Sequence, residues 1–286
     1  MAPLDSVKNT AKNAARTAES SKAFEVTARA GYAANGVVHI LIGVIVIALA
    51  LGGEGQSDQS GALKAIAGAP FGFVALWVLA VALGALGLWH ALEGFLVRAA
   101  PGAGGGASET AKKQGSKWGR RLSEWGQGLV FIALGVIAAS VALGAKVNSS
   151  DQSAQDASRS LLSVPGGPFV LGLIGLGIGI GGIAFIVMGV MRSFEKKMSI
   201  PSGGIGPAVK GLGIVGYIAK GIALAIVGIL LLVAAVKVDP NAAGGLDAAF
   251  DALLALPYGP WLAGTVGVGL IAYGVFCFFR ARFARL

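Results

Sequence analysis

Charged residues are scarce in this sequence of 286 residues: only 13% are Asp, Glu, Lys or Arg, whereas 55% are hydrophobic. A domain that folds in water usually has about 25% charged residues. A chain this apolar cannot cover its whole surface with polar groups, so part of that surface must face lipid. The composition therefore excludes an ordinary water-soluble domain and predicts a membrane protein.

Cysteine and histidine are also rare, since the chain has one cysteine, Cys277, and two histidines, His39 and His90. A single cysteine excludes an intramolecular disulfide framework and a site of several thiolate ligands. No nucleotide-binding lysine loop, metalloprotease histidine pair or nucleophilic serine elbow occurs. The sequence predicts no catalytic residue, no metal site and no cofactor.

Long apolar segments are abundant, and six of them approach or exceed the 20 or so residues that a helix needs to cross a bilayer. They cover residues 31–51, 71–92, 126–145, 169–191, 212–236 and 258–279. The fifth contains Lys220, whose side chain we expect to reach toward the headgroups. The predicted fold class is an all-α membrane protein with six transmembrane helices.

Basic residues are distributed unevenly: 19 of the 23 fall in the predicted tails and the linkers between hairpins, or near that edge of the spans. The positive-inside rule then places both termini in the cytoplasm, which predicts a bacterial plasma-membrane protein. Attraction to anionic lipid on that side accounts for the net charge of +9. Binding of nucleic acid is not required to explain it.

The odd-numbered spans are copies of one another. Two glycines recur in each copy: Gly36, Gly128 and Gly221 coincide, and so do Gly43, Gly135 and Gly228. A proline–glycine turn opens each even-numbered span, beginning at Pro70, Pro165 and Pro257. This pattern predicts three tandem helical hairpins around a pseudo-threefold axis normal to the membrane.

The predicted boundaries follow from this repeat. They are a tail at 1–28, hairpins at 29–98 and 121–192, linkers at 99–120 and 193–209, and a third hairpin with a basic tail at 210–286. Leu246, Phe250, Leu253 and Leu254 have helical spacing in the last loop, which predicts a short amphipathic helix there. Weaker versions of this pattern occur in the other two loops.

The sequence resembles a known bacterial, largely actinobacterial, family of membrane proteins, the "domain of unknown function 1206". The resemblance rests on Arg29-Ala30-Gly31-Tyr32 before Gly36, on the turn at Pro70, and on the aromatic-rich even helix that ends near Trp89. The second repeat departs from the pattern, with Glu124 where Tyr32 and Tyr217 stand. The resemblance implies about three hairpin units and a plasma-membrane location, and it implies no reaction.

Asn35, Gln127 and Lys220 share one repeat position and form a candidate polar ring around a central pathway. The plainer interpretation is that each binds a neighbouring helix or the interface. His39, His90 and Glu93 are candidate intramembrane polar residues. Equal depth of the two histidines would permit a bis-histidine haem or a proton relay, although a hydrogen-bonded packing role is the stronger interpretation.

Glycines are candidate helix-packing residues: the six shared glycines of the odd spans, and Gly175 and Gly179 in the fourth span. Close packing is favoured over flexibility for gating, and leucine at Gly179 is then expected to destabilise the protein.

Three functions remain after these exclusions. The leading hypothesis is a scaffold or accessory subunit, with the bilayer and other membrane proteins as partners. The second is a small-molecule channel or transporter with a pathway along the axis. A membrane enzyme ranks last, because no nucleophile or metal cluster is visible.

Overall fold

The computed structural model describes residues 22–96, 107–201 and 203–284, and within these ranges it contains helices and no strand. The helices are α1 (Lys22–Ala50), α2 (Gln59–Ala67), α3 (Gly72–Leu96), α4 (Ala107–Ala142), α5 (Ser150–Leu162), α6 (Gly167–Val190), α7 (Ile205–Lys237), α8 (Leu246–Leu254) and α9 (Gly259–Phe283). Two short 3₁₀ turns accompany them, at Ser193–Lys197 and Pro240–Ala242.

Six of these helices, α1, α3, α4, α6, α7 and α9, are long and apolar enough to cross a membrane. They form three hairpins, α1/α3, α4/α6 and α7/α9, and each hairpin loop contains one short helix, α2, α5 or α8. The all-α fold with six spans is confirmed. The side of the bundle that carries the short helices is called the loop side below, and the side that carries the connections between hairpins is called the linker side.

The helices extend further into the linkers than predicted. Helix α1 begins at Lys22, inside the predicted tail, and α4 begins at Ala107, inside the predicted linker 99–120. Both extensions are rich in Ala, Lys and Glu and contain no proline, a composition that favours helix. The rest of that tail, residues 1–21, and residues 97–106 lie outside the described residues.

The three hairpin turns share one backbone conformation. Phe71, Gly166 and Tyr258 occupy equivalent positions and all have positive φ, at 61°, 79° and 62°. The glycine that follows each of them is required, because a Cβ at Gly167 would lie 1.7 Å from the carbonyl oxygen of Leu161. The exposed rings of Phe71 and Tyr258 lie at the ends of their spans, where aromatic side chains favour the membrane interface.

Each odd-numbered span packs closely against the even-numbered span of the preceding hairpin, in cyclic order. The pairs are α4 on α3, α7 on α6 and α1 on α9. All six shared glycines lie at these crossings. A Cβ at Gly36 would approach the carbonyl oxygen of Gly274 to 2.6 Å, and a Cβ at Gly221 would approach that of Gly182 to the same distance. The backbones are therefore in direct contact, as small residues allow in membranes.

The pseudo-threefold arrangement is broken in the second hairpin. Helices α1 and α3 pack together, and so do α7 and α9, but α4 and α6 lack a comparable contact among the described residues. In the first hairpin Gly31 packs against Ala82 and Leu86. The positions equivalent to Ala82 and Leu86 in α6 are Gly177 and Gly181, which face open space. We call this opening the α4/α6 gap.

Three aspartates, one from each hairpin loop, connect the loop-side helices into a closed ring. Asp58 accepts a hydrogen bond from the Ser150 backbone N–H at 2.6 Å, at the start of α5. Asp151 accepts from the N–H groups of Gly245 and Ala248 at 2.8 and 3.0 Å, at the start of α8. Asp247 completes the cycle by accepting from the backbone N–H and the hydroxyl of Ser57, just before α2.

This aspartate ring is compact enough for its charges to interact. Burial raises the pKa of Asp247, and the neighbouring charges of Asp58 and Asp151 raise it further, while hydrogen bonds from Ser57 oppose the shift. A sequence signal for the ring exists, because Ser-Asp-Gln-Ser occurs at residues 57–60 and again at 150–153. Two of the three aspartates therefore lie in a repeated motif.

We predict that Gly182→Leu lowers the free energy of unfolding by about 1–3 kcal/mol, since the added side chain must enter a backbone-to-backbone contact. Thermal unfolding in detergent measures this, with Gly177→Leu as the control in the same helix. Leucine at Gly179, for which the sequence predicted destabilisation, is a weaker probe: its backbone touches Gly228, but a Cβ there meets nothing within 4 Å. Equal losses at Gly177 and Gly182 would contradict the packing described.

Asp151→Ala is expected to cost about 0.5–2 kcal/mol, because two N–H groups at the start of α8 lose their acceptor. The matched control is Asp156→Ala in the same helix, where the carboxylate only pairs with exposed Arg159. The comparison uses the same unfolding measurement. If both variants unfold alike, the ring does not hold the loop side together.

Candidate functional site: a polar cluster inside the bundle

A buried histidine–glutamate pair lies between α3 and α4 near the linker side. His90 and Glu124 are each 1% exposed, and His90 Nδ1 donates to Glu124 Oε2 at 2.7 Å. The other carboxylate oxygen accepts from Lys197 Nζ at 2.9 Å. The imidazole ring also stacks on Phe131, with the ring centres 5.5 Å apart. The pair is thus fixed on both sides, and only Lys197, whose side chain is 51% exposed, reaches the surface.

Tyrosine connects this pair to a second group of charges. The hydroxyl of Tyr32 lies 3.5 Å from His90 Nε2 and accepts a hydrogen bond from Arg280 at 3.3 Å. The same guanidinium donates to the Tyr217 hydroxyl at 3.3 Å and lies 4.4 Å from the centre of the Tyr32 ring. The polar cluster therefore contains side chains from all three hairpins.

Lys220 extends the cluster deeper into the bundle. Its ammonium donates to the Tyr273 hydroxyl at 3.3 Å, and it lies 4.5 Å from the centre of that ring and 5.2 Å from that of Phe185. Such cation–π contacts stabilise a cation away from water. Among the described residues, no carboxylate forms an ion pair with Lys220 or Arg280.

The predicted ring of Asn35, Gln127 and Lys220 does not assemble, and this hypothesis is corrected. Asn35 donates to Cys277 Sγ at 3.5 Å in α9, whereas Gln127 donates to Ser123 of its own helix at 3.3 Å. Asn35 and Lys220 both contact α9, at Cys277 and at Tyr273, whereas Gln127 takes no part. The position one turn closer to the linker side, occupied by Tyr32, Glu124 and Tyr217, converges instead.

The two histidines belong to separate surroundings. His39 Nδ1 lies 2.8 Å from the carbonyl oxygen of Asn35, and its ring lies 4.8 Å from that of Tyr273. His90 has Glu124 and Tyr32 as neighbours, and no contact joins the two histidines among the described residues. Each histidine is therefore packed and hydrogen-bonded separately from the other.

Glu93 shares a helix face with His90, as its spacing predicts, and Glu124 joins them from α4. One ligand atom from each of these three side chains lies within 4.8 Å of the other two. The three residues are the group in the described part of the chain that could hold a metal ion. The sequence analysis assigned Glu124 no role. The signal that could have revealed one is that Glu124 stands at the repeat position that Tyr32 and Tyr217 occupy in the other two copies.

We predict that Glu124→Gln lowers the free energy of unfolding by about 1–3 kcal/mol, because His90 and Lys197 lose a charged acceptor. Glu195→Gln is the matched control: it removes a carboxylate that pairs with Lys210 near the linker-side end of α7. Thermal unfolding in detergent compares the two variants. A loss for Glu195→Gln as large as that for Glu124→Gln would contradict a special role for the buried pair.

Comparison with known proteins finds a relative that matches most of the chain. The chain is 26% identical over 262 residues to the "Uncharacterized protein YxxB" of Bacillus subtilis (strain 168), and the match covers 90% of each protein. No solved structure matches the chain.

Three stretches, at residues 30–97, 123–192 and 215–284, match the family described as Domain of Unknown Function (DUF1206). Each stretch coincides with one hairpin, and together they cover more than half of the sequence. The chain therefore belongs to the DUF1206 family, as a membrane protein built from three copies of its hairpin.

Proposed function

We propose that this protein is a non-catalytic scaffold or accessory subunit that holds a transmembrane helix of another membrane protein in the α4/α6 gap. The observation that carries the proposal is the missing contact in the second hairpin. At the equivalent place in the first hairpin, Ala82 and Leu86 are covered by α1; in the third, α7 covers Tyr273. Gly177 and Gly181 keep the same face open in α6.

The chemistry of this face suits a helix. Gly177 and Gly181 form a Gly-x-x-x-Gly pattern in an apolar span, and small residues at that spacing let a second helix approach closely. Gly31 and Gly216 occupy the equivalent place in the other odd helices, whereas α4 has exposed Ser123 there. A partner helix with small residues would complete the pseudo-threefold packing.

The interior also favours a scaffold over a conduit. Between the polar cluster and the loop side, Val38, Ile42 and Val46 of α1 pack with Leu270 of α9 in one apolar core. Phe250 and Leu253 of α8 join the same core from the loop side. This apolar core of tightly packed side chains in the first and third hairpins supports a structural role.

Location and lipid partners are part of the proposal. We place the protein in the bacterial plasma membrane with both termini in the cytoplasm, where the basic linker side meets anionic lipid. A cavity of about 390 Å³ on the linker side supports this, since Arg192 and Lys210 line it beside Pro201 and Pro207. Arg192, together with Lys210, which also pairs with Glu195, places positive charge above apolar walls, as the headgroup of an anionic lipid requires.

A transporter is the second candidate, and one observation favours it. Lys220 and Arg280 are held inside the bundle by tyrosine hydroxyls and aromatic rings. Intramembrane cations usually mark a pathway for a substrate or ion. A small anion from the linker side would be the substrate class that these two residues attract.

The scaffold proposal is tested with a photo-reactive amino acid at Ile180, which is exposed near the gap, and at Val81, an exposed control on α3. In native membranes we expect a discrete protein adduct at Ile180 and lipid adducts at Val81. The double variant Gly177→Leu/Gly181→Leu is expected to abolish the protein adduct while leaving thermal stability unchanged.

Three results would contradict the scaffold role: lipid adducts alone at both positions, a protein adduct that survives the two leucines, or an adduct with a second copy of the same chain. Uptake of a small anion that Lys220→Met abolishes would favour the transporter instead.

A further inference from the structure

We propose that His90, Glu93 and Glu124 bind a divalent transition-metal ion. The three residues come from two helices whose relative position is fixed by the crossing of Gly87 and Gly128. Their ligand atoms lie within 4.8 Å of one another. Metal–ligand distances of about 2.1 Å require separations of up to roughly 4.2 Å, so small side-chain rotations bring all three onto one ion.

The charges of the three side chains fit a divalent ion. Two carboxylates that lie close together offer the oxygen ligands that divalent cations bind. In the metal-free arrangement Lys197 supplies one positive charge to Glu124 at 2.9 Å. An ion of charge +2 would neutralise both carboxylates, and Lys197, which is half exposed, can swing out to the linker side.

The donor set limits the choice of metal. One imidazole and two carboxylates, without a thiolate, suit Zn²⁺, Mn²⁺ or Fe²⁺ and disfavour Cu⁺. His90 and Glu93 stand three residues apart on one helix face, and Glu124 approaches from the neighbouring helix. Metal sites in helical bundles combine a Glu-x-x-His motif with a glutamate from a facing helix, and here the same two residue types stand three apart in the reverse order.

The position of the site indicates how an ion would enter and which side chains it would affect. Lys197, beside Glu124, is the exposed member of the cluster and marks the route of access from the linker side. The hydroxyl of Tyr32 lies 3.5 Å from His90 Nε2 and leads on to Arg280. A bound ion would therefore join the first and second hairpins and act on the polar cluster. This proposal does not rest on the scaffold role, because its three ligands come from α3 and α4 and include no residue of α6.

Zn²⁺ titration of the detergent-purified, chelator-treated full chain tests the proposal by calorimetry. We expect about one Zn²⁺ per chain, with affinity reduced at least tenfold by Glu93→Gln and by Glu124→Gln. Lys197→Met is expected to raise the affinity, because it removes the competing ammonium. His39→Ala, which changes the other buried histidine, serves as the control and should leave binding unchanged.

Co²⁺ provides a spectroscopic readout of the same ligands. Bound Co²⁺ should give visible ligand-field absorption that Glu93→Gln weakens and His39→Ala preserves. The proposal is overturned if the unmodified chain binds no Zn²⁺ or Co²⁺, or if Glu93→Gln and Lys197→Met leave Zn²⁺ affinity unchanged. Glu93 and Lys197 are less buried than Glu124, so the test stands even if Glu124→Gln fails to fold.

Discussion

Direct contact between helix backbones at repeated glycines is the constraint on which the rest of this structure depends. Lipid supplies no hydrophobic driving force between helices, so spans associate through close packing and hydrogen bonds. Gly36 on Gly274, Gly128 on Gly87 and Gly221 on Gly182 allow this in each of three antiparallel crossings. Because each crossing joins a hairpin to the preceding one, the three copies are held together as a cycle.

The crossings also fix the rotation of each helix, and hence which polar side chains meet. Once Gly128 faces α3, Glu124 lies one turn away on nearly the same face and pairs with His90. Tyr32 and Tyr217 occupy the same position in their own helices and hold Arg280. The polar cluster is therefore a consequence of glycine packing combined with different side chains at one repeat position. On the loop side, one aspartate from each hairpin loop accepts hydrogen bonds from a neighbouring loop, so the three hairpins are joined there as well.

Much of this could be read from the sequence. Six apolar segments, two repeated glycines and the proline–glycine turns predicted the number of membrane-spanning helices, their pairing into hairpins and the family. The short helix at Leu246–Leu254 was visible from its spacing. These features are local, or depend on the period of a helix, so a single sequence contains them.

The partners across helices could not be read in the same way. Repeat alignment placed Asn35, Gln127 and Lys220 at one depth, but depth does not give rotation about the helix axis. Asn35 and Lys220 both contact α9, whereas Gln127 bonds its own helix. Pairing of Glu124 with His90 requires knowing that α4 packs on α3 rather than on α6. The aspartate ring was missed although Ser-Asp-Gln-Ser occurs twice, because the third copy keeps only Asp247.

The central claim is that each odd span packs on the even span of the preceding hairpin, and disulfide trapping tests it most directly. Cysteines at Phe95 and Trp125, whose rings lie 5.2 Å apart, join α3 to α4 without a side chain at a glycine crossing. Cysteines at Ser123 and Gly181 would join α4 to α6. With a protease site inserted at residues 102–106, the account predicts that oxidation keeps the two fragments together for the first pair and not for the second. Efficient cross-linking of the second pair without the first would contradict it.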